Sequence, residues 1–162
     1  MNKNILVAYF SASGVTAKAA KNLADTIEVE LFEIKPTIPY TEADLNWNDK
    51  NSRSSIEMNN PDSRPDISEK LPDIEKYDII FIGFPIWWYV APTIINTFLE
   101  SYDFSGKTII PFATSGGSGM GKTNEKLKPS CPDAVLLPGK MLNGLQSKDE
   151  LDLWLQSLNI YK

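Results

Sequence analysis

Residues 4–16, NILVAYFSASGVT, decide how the rest of the chain is organised. The apolar run ILVAYF does not alternate with polar residues, as a strand buried on both faces requires. SASG (11–14) ends it with small hydroxyl-bearing residues and a glycine. VTAKAAKNLADTI (15–27) then sets Ala17, Ala20, Leu23, Ala24 and Ile27 on one helical stripe. A buried strand, a tight turn and an amphipathic helix form the repeating unit of a parallel sheet covered by helices.

The same alternation continues outward. EVELFEI (28–34), YDIIFIG (77–83), TIIPFAT (108–114) and AVLLPG (134–139) read as the second to fifth strands. In APTIINTFLESYDFSG (91–106), Pro92 suits a first helical turn, and Ile94, Ile95, Phe98, Leu99 and Tyr102 share a face. The last helix begins at SKDE (147–150), where Ser147 and Glu150 have capping-box spacing, and it buries Leu151, Trp154, Leu155 and Leu158. The expected fold is α/β, a doubly wound parallel sheet formed by one domain over residues 1–162. Residues 35–70 interrupt the pattern with a polar, proline-punctuated excursion after the second strand. Its length favours an ordered flap, docked through Tyr40, Leu45, Trp47, Ile56 and Met58.

Composition narrows the chemistry. The chain has 162 residues, a formal charge of −5, no histidine and a single cysteine, Cys131. Without histidine there is no Ser-His-Asp or Cys-His catalysis and no His-ligated metal. One cysteine cannot make an intrachain disulfide or a cysteine metal cluster, so Cys131 is expected to pack as a small apolar group. Acidic balance argues against nucleic-acid and anionic-membrane partners. The N-terminal apolar run is too short for a signal peptide, and no run nears the roughly 18 residues of a membrane span, so a cytoplasmic location is expected. No catalytic acid–base residue and no metal site is assigned; a bound cofactor would supply the chemistry.

Ligands of doubly wound sheets bind beyond the carboxyl ends of the strands, so the loops after the first, third and fourth strands should meet. SASGVT (11–16) offers the hydroxyls of Ser11, Ser13 and Thr16, a flexible turn at Gly14, and free N–H groups at a helix start. That is a phosphate cradle needing no cation. PIWWYVAP (85–92) places Trp87, Trp88 and Tyr89 directly after a buried strand, a surface on which a flat heterocycle can stack. One of the two tryptophans should belong to the core, and sequence leaves open which. TSGGSGMGKT (114–123) contains a full match to the triphosphate loop G-x-x-x-x-G-K-[ST] at 116–123. Its context differs: too little chain follows for the expected sheet, and no neighbouring strand ends in a magnesium-binding aspartate. We read its glycines instead as admitting main-chain groups to the edge of a planar ring, and Lys122 as a surface residue.

Together the three loops resemble those of the flavodoxin-like family, in particular a bacterial branch of flavodoxins and NAD(P)H-dependent flavin oxidoreductases. The likeness rests on SASGVT, GFPIWW and GKTIIPFATSGGSG and covers nearly the whole chain. It implies a five-stranded, three-layer sheet of order 2-1-3-4-5 with FMN at its rim, of the short-chain type. Ser11, Ala12, Ser13, Gly14, Val15 and Thr16 would hold the phosphate. Pro85, Ile86, Trp87 and Trp88 would line one side of the ring, and Thr114, Ser115, Gly116, Gly117 and Ser118 the other. This sequence departs from electron-carrier flavodoxins in lacking an aromatic residue in the last loop, TSGGSGMG, so the outer ring face is open to a substrate or covered by the excursion.

Two functions share that site. One is an electron carrier with a redox partner protein; the other is an oxidoreductase passing electrons from NAD(P)H to a small, quinone-like acceptor. Tyr40, Trp47, Trp88 and Tyr89 are the expected contacts of a substrate or partner, and the chain is compatible with a monomer or a homodimer. The alternatives are a nucleotide-binding protein using residues 116–123, and an interaction domain without a cofactor.

Overall fold

A computed structural model describes residues 4–115, 119–144 and 146–159. Its sheet has the order β2-β1-β3-β4-β5, with every pairing along it parallel. The strands are β1 (Ile5–Tyr9), β2 (Glu30–Glu33), β3 (Ile79–Pro85), β4 (Thr108–Thr114) and β5 (Val135–Leu136), and β6 (Lys140–Met141) also pairs with β4. Among the described residues five α-helices accompany them: α1 (Val15–Ile27), α2 (Arg53–Asn59), α3 (Thr93–Glu100), α4 (Thr123–Leu127) and α5 (Lys148–Ser157).

Period-two geometry sends alternate strand residues to opposite faces. Leu6, Ala8, Ile80, Ile82 and Phe84 therefore meet Ile94, Ile95, Phe98 and Leu99 of α3 and Leu127 of α4. Ile5, Val7, Tyr9, Ile79 and Phe81 meet Ala20, Leu23 and Ala24 of α1 and Leu151, Trp154 and Leu155 of α5. Each fully buried Val, Leu, Ile or Phe side chain contributes about 1.5–3 kcal/mol relative to exposure, so the two layers clamp the central strands. Ser147 caps α5 as its spacing predicts, its Oγ accepting from the Glu150 N–H at 3.1 Å.

The fifth strand departs from expectation: AVLLPG does not form one strand but is broken, and pairing resumes at β6. The cause lies in β4. Ile109 O accepts from Leu137 N at 2.9 Å and Ala113 O from Leu142 N at 2.7 Å, so residues 109, 111 and 113 present their polar groups to the fifth strand. Pro111 sits between them without an N–H, and the ladder fails opposite it. Gly139 passes close to it; a Cβ on that residue would lie 3.0 Å from Pro111 O.

The excursion is ordered and contains a helix. Thr37 N–H donates to Asp66 O at 2.9 Å and Ser68 N–H to Lys35 O at 2.8 Å, closing its base. Ser52 caps α2 by accepting from Ser55 N. The expected docking set is partly corrected. Tyr40 packs against the core and Met58 is half-buried, but Trp47 and Ile56 are 71% and 57% exposed. Ile56 falls on the outer side of α2, a helix that the polar, proline-punctuated sequence of the excursion does not mark.

Candidate functional site

At the end of β1 the chain turns into α1 through Gly14, whose φ of 93° is open to glycine without strain. Ser11 Oγ accepts from Gly14 N–H at 3.0 Å and stiffens the turn. No side chain caps α1. Among the described residues, the backbone N–H groups of Ser13, Val15, Thr16 and Ala17 have no acceptor. The result is a rim of open donors at the positive end of a 13-residue helix. The Ser13 and Val15 side chains are exposed beside it, Ser11 and Ala12 half-buried.

The Thr16 hydroxyl points the other way. It is buried and shares a 2.7 Å hydrogen bond with Thr114 Oγ1 at the end of β4. Thr114 O also accepts from Ile86 N at 2.8 Å, and the adjoining Ser115 N–H donates to Asn143 Oδ1 at 2.8 Å. Thr114 thus ties the three loops to one another. The sequence reading had no means of finding Asn143, a lone polar residue beyond the broken fifth strand. Gly116, Gly117 and Ser118 lie outside the described residues.

Beyond Pro85 and Ile86, Trp87 and Val90 exchange backbone hydrogen bonds of 2.9 and 3.1 Å, which makes residues 88 and 89 a two-residue turn. Both are left-handed, Trp88 at φ 49° and Tyr89 at φ 67°. For non-glycine residues this costs roughly 1–2 kcal/mol each, and such strain gathers at functional sites. The turn settles which tryptophan faces inward. Trp87 packs edge-on against Phe10 and Tyr40, at centroid distances of 5.8 and 5.4 Å, while Trp88 and Tyr89 are 44% and 68% exposed.

Tyr40 brings the excursion to the site. Its ring lies 5.5 Å from Phe10, the Arg53 guanidinium sits 3.8 Å over its face, and its hydroxyl donates to Glu57. Arg53 Nε in turn donates to Glu57 at 3.0 Å and Nη1 to Ile38 O at 2.6 Å. Burial, then the hydrogen bond to Glu57, pushes the Tyr40 pKa far above its ordinary value. Tyr40 is therefore a neutral packing and hydrogen-bonding residue rather than a base. The i,i+4 spacing of Arg53 and Glu57 carried this signal, but only once 53–59 is known to be helical.

The triphosphate-loop match is not used as such. Thr123 is fully buried and its hydroxyl donates to Met120 O, so that hydroxyl is not turned to a metal ion. Gly121, at φ 54°, abuts Tyr89; a Cβ there would lie 2.3 Å from Tyr89 O. Lys122 is exposed ahead of the five-residue α4. Cys131 is buried, and burial raises its thiol pKa.

The flavodoxin family model matches residues 4–158. The chain belongs to the flavodoxin family. Among solved structures, it is 49% identical to a candidate flavoprotein from Bacteroides eggerthii DSM 20697, with a TM-score of 0.94 over 98% of this chain and 99% of that one. A candidate flavoprotein from Bacteroides uniformis ATCC 8492 is also 49% identical, at TM-score 0.89 over 96% and 99% of the two chains. A flavoprotein from Lactobacillus acidophilus NCFM, solved in complex with FMN, is 26% identical at TM-score 0.72 over 95% and 99%. No curated protein matches. Among the described residues, no helix of this flavodoxin-family chain is long and apolar enough to cross a membrane.

Proposed function

We propose that the protein is a redox protein that binds FMN and passes electrons through it. The observation that carries this reading is the uncapped start of α1, where four backbone N–H groups stand open at the carboxyl end of β1. A phosphate monoester fits that rim by charge and by acceptor number, with no lysine or arginine needed. The FMN complex of the Lactobacillus acidophilus flavoprotein supports the same cofactor here.

In this reading Ser11, Ala12, Ser13, Gly14, Val15 and Thr16 hold the phosphate. Pro85, Ile86, Trp87 and Trp88 line one side of the ring, and Thr114, Ser115, Gly116, Gly117 and Ser118 the other. The bound flavin supplies one- or two-electron transfer. The chain's own part is orientation: Thr114 fixes the spacing of the three loops, and Phe10 and Tyr40 hold the Trp87 ring edge-on. Tyr40, kept protonated, neither gives nor takes a proton near neutral pH. The exposed Trp88–Tyr89 tip favours an open acceptor side, and with it NAD(P)H-dependent reduction of a small molecule over exchange with a protein partner.

Two steps test this. Titrating FMN into cofactor-free protein should quench its fluorescence at about one FMN per chain; absence of quenching sinks the proposal. Adding NADH or NADPH to the loaded protein without oxygen should then bleach the flavin. If only photoreduction or a partner reductase bleaches it, the protein is a carrier.

A further inference from the structure

A cavity of about 850 Å³ is lined in part by the Trp88–Tyr89 turn and by no residue of the α1 rim. The excursion forms one wall through Met58, and α3 and α4 form the others. Its volume falls within the range of small-molecule sites, roughly 300–1,000 Å³.

A network builds its floor. Arg64 Nε and Nη2 donate to the two carboxylate oxygens of Glu100 at 2.8 and 3.1 Å, and Ser130 Oγ donates to Glu100 Oε2 at 2.7 Å. Asn96 Nδ2 donates to Ser130 Oγ at 2.9 Å and to Lys126 O at 3.2 Å. These polar groups satisfy one another. Thr93, at the start of α3, is the exception. It lines the cavity, it is 7% exposed, and its hydroxyl has no hydrogen-bond partner among the described residues. A buried hydroxyl left unpaired is unfavourable, and turning it about χ1 towards a ligand acceptor in the cavity would relieve it.

Charge defines the ligand further. The lining holds three cationic residues, Arg64, Lys122 and Lys126, and three anionic ones, Asp62, Glu100 and Glu125. The formal sum is zero, so the lining favours neither a polyphosphate nor a polycation. The aromatic wall of Trp88 and Tyr89 suits a flat molecule. We propose that this cavity binds an uncharged, planar organic carbonyl compound, stacked against the Trp88–Tyr89 turn and hydrogen-bonded through the Thr93 hydroxyl. Of the residues assigned to FMN only Trp88 lines this cavity, although the same two loops border it through Tyr89, Val90, Ala91, Gly121 and Lys122, and its occupancy is measured without turnover.

The test is calorimetric titration of the full chain, at recorded flavin content, with 2-acetylnaphthalene, 2-ethylnaphthalene and 2-naphthoate. The ketone should bind tightest, at about one per chain, and the carboxylate weakest. Thr93→Val should weaken the ketone about three- to tenfold and leave the hydrocarbon unchanged, as one lost hydrogen bond implies. Tyr89→Ala, at an exposed position outside the core, should weaken both. Absence of saturable ketone binding overturns the proposal, as does tightest binding by the carboxylate. Equal loss of ketone and hydrocarbon affinity in Thr93→Val overturns it too. Binding of the ketone by protein that fails to take up FMN would uphold the cavity and sink the cofactor reading.

Discussion

The two best-described loops of the site are built on opposite terms. Residues 11–16 turn through a glycine, close on their own Ser11 hydroxyl, and leave a helix start open. Residues 85–92 turn through a tryptophan and a tyrosine that both occupy the left-handed region, held there by the Trp87–Val90 backbone pair and by packing of Trp87 on Phe10 and Tyr40. The first loop is relaxed and local, the second strained and supported from a distance. A charged phosphate can be met by backbone alone, because N–H groups at a helix start are already polarised. A flat apolar ring needs side-chain area, and bulky residues at a tight turn cost backbone energy.

Substitutions can break or sharpen that contrast. The largest effect is expected at the base of the strained loop. A Cβ at Gly83 would lie 2.2 Å from the buried Phe112 ring, so Gly83→Val should destabilise the fold by about 1–3 kcal/mol or more, measured by denaturant unfolding. A stability equal to wild type would show that the β3–β4 packing beneath the loop yields easily. Next, Gly14→Ala should cost roughly 1–2 kcal/mol although nothing lies within 4 Å of the added Cβ, because only the backbone is strained. It should also weaken FMN.

The sign reverses at the other loop. Tyr89→Gly should raise stability by roughly 0.5–1 kcal/mol, the relieved left-handed strain exceeding the entropy cost of glycine. A loss of stability there would mean the turn is not strained and the contrast is false. The smallest effect belongs to the clasp between the excursion and α3. The Arg64 hydrogen bonds first, then Ser130, hold the Glu100 pKa below its usual range, against some burial. Its folded pKa being lowered, the clasp contributes above the ordinary carboxylate range and is lost as pH falls through the lowered value. Arg64→Ala should cost only about 0.2–1 kcal/mol at pH 7, since the pair is partly exposed, and less in strong acid, where its hydrogen bonds to Pro61 O and Ser63 O remain but the ion pair is gone. Amide exchange in residues 58–66 at both pH values checks this.

What could be read from sequence follows the same division. β1, the Gly14 turn and α1 lie within 25 residues, and the apolar run, the glycine and the helical stripe all agree. The α1 residues matched throughout, as did the cap at Ser147. The Trp88–Tyr89 turn was not legible, because left-handed backbone is signalled by glycine or asparagine and neither is present. The broken fifth strand was written in Pro111, but only its register against Leu137 and Leu142 shows which neighbour loses a hydrogen bond. Asn143 acts across a long sequence separation and has no local pattern, and the i,i+4 spacing of Arg53 and Glu57 becomes a signal only once 53–59 is known to be helical.

The central claim is that the open rim of residues 11–16 holds a phosphate, and comparing FMN with riboflavin in one fluorescence titration tests it most directly. The two ligands share the ring and differ in the phosphate. If two or more charge-assisted hydrogen bonds form at the rim, FMN should bind at least about a hundredfold more tightly than riboflavin. Equal affinities would contradict the account and leave the α1 start as an uncapped helix end with no ligand.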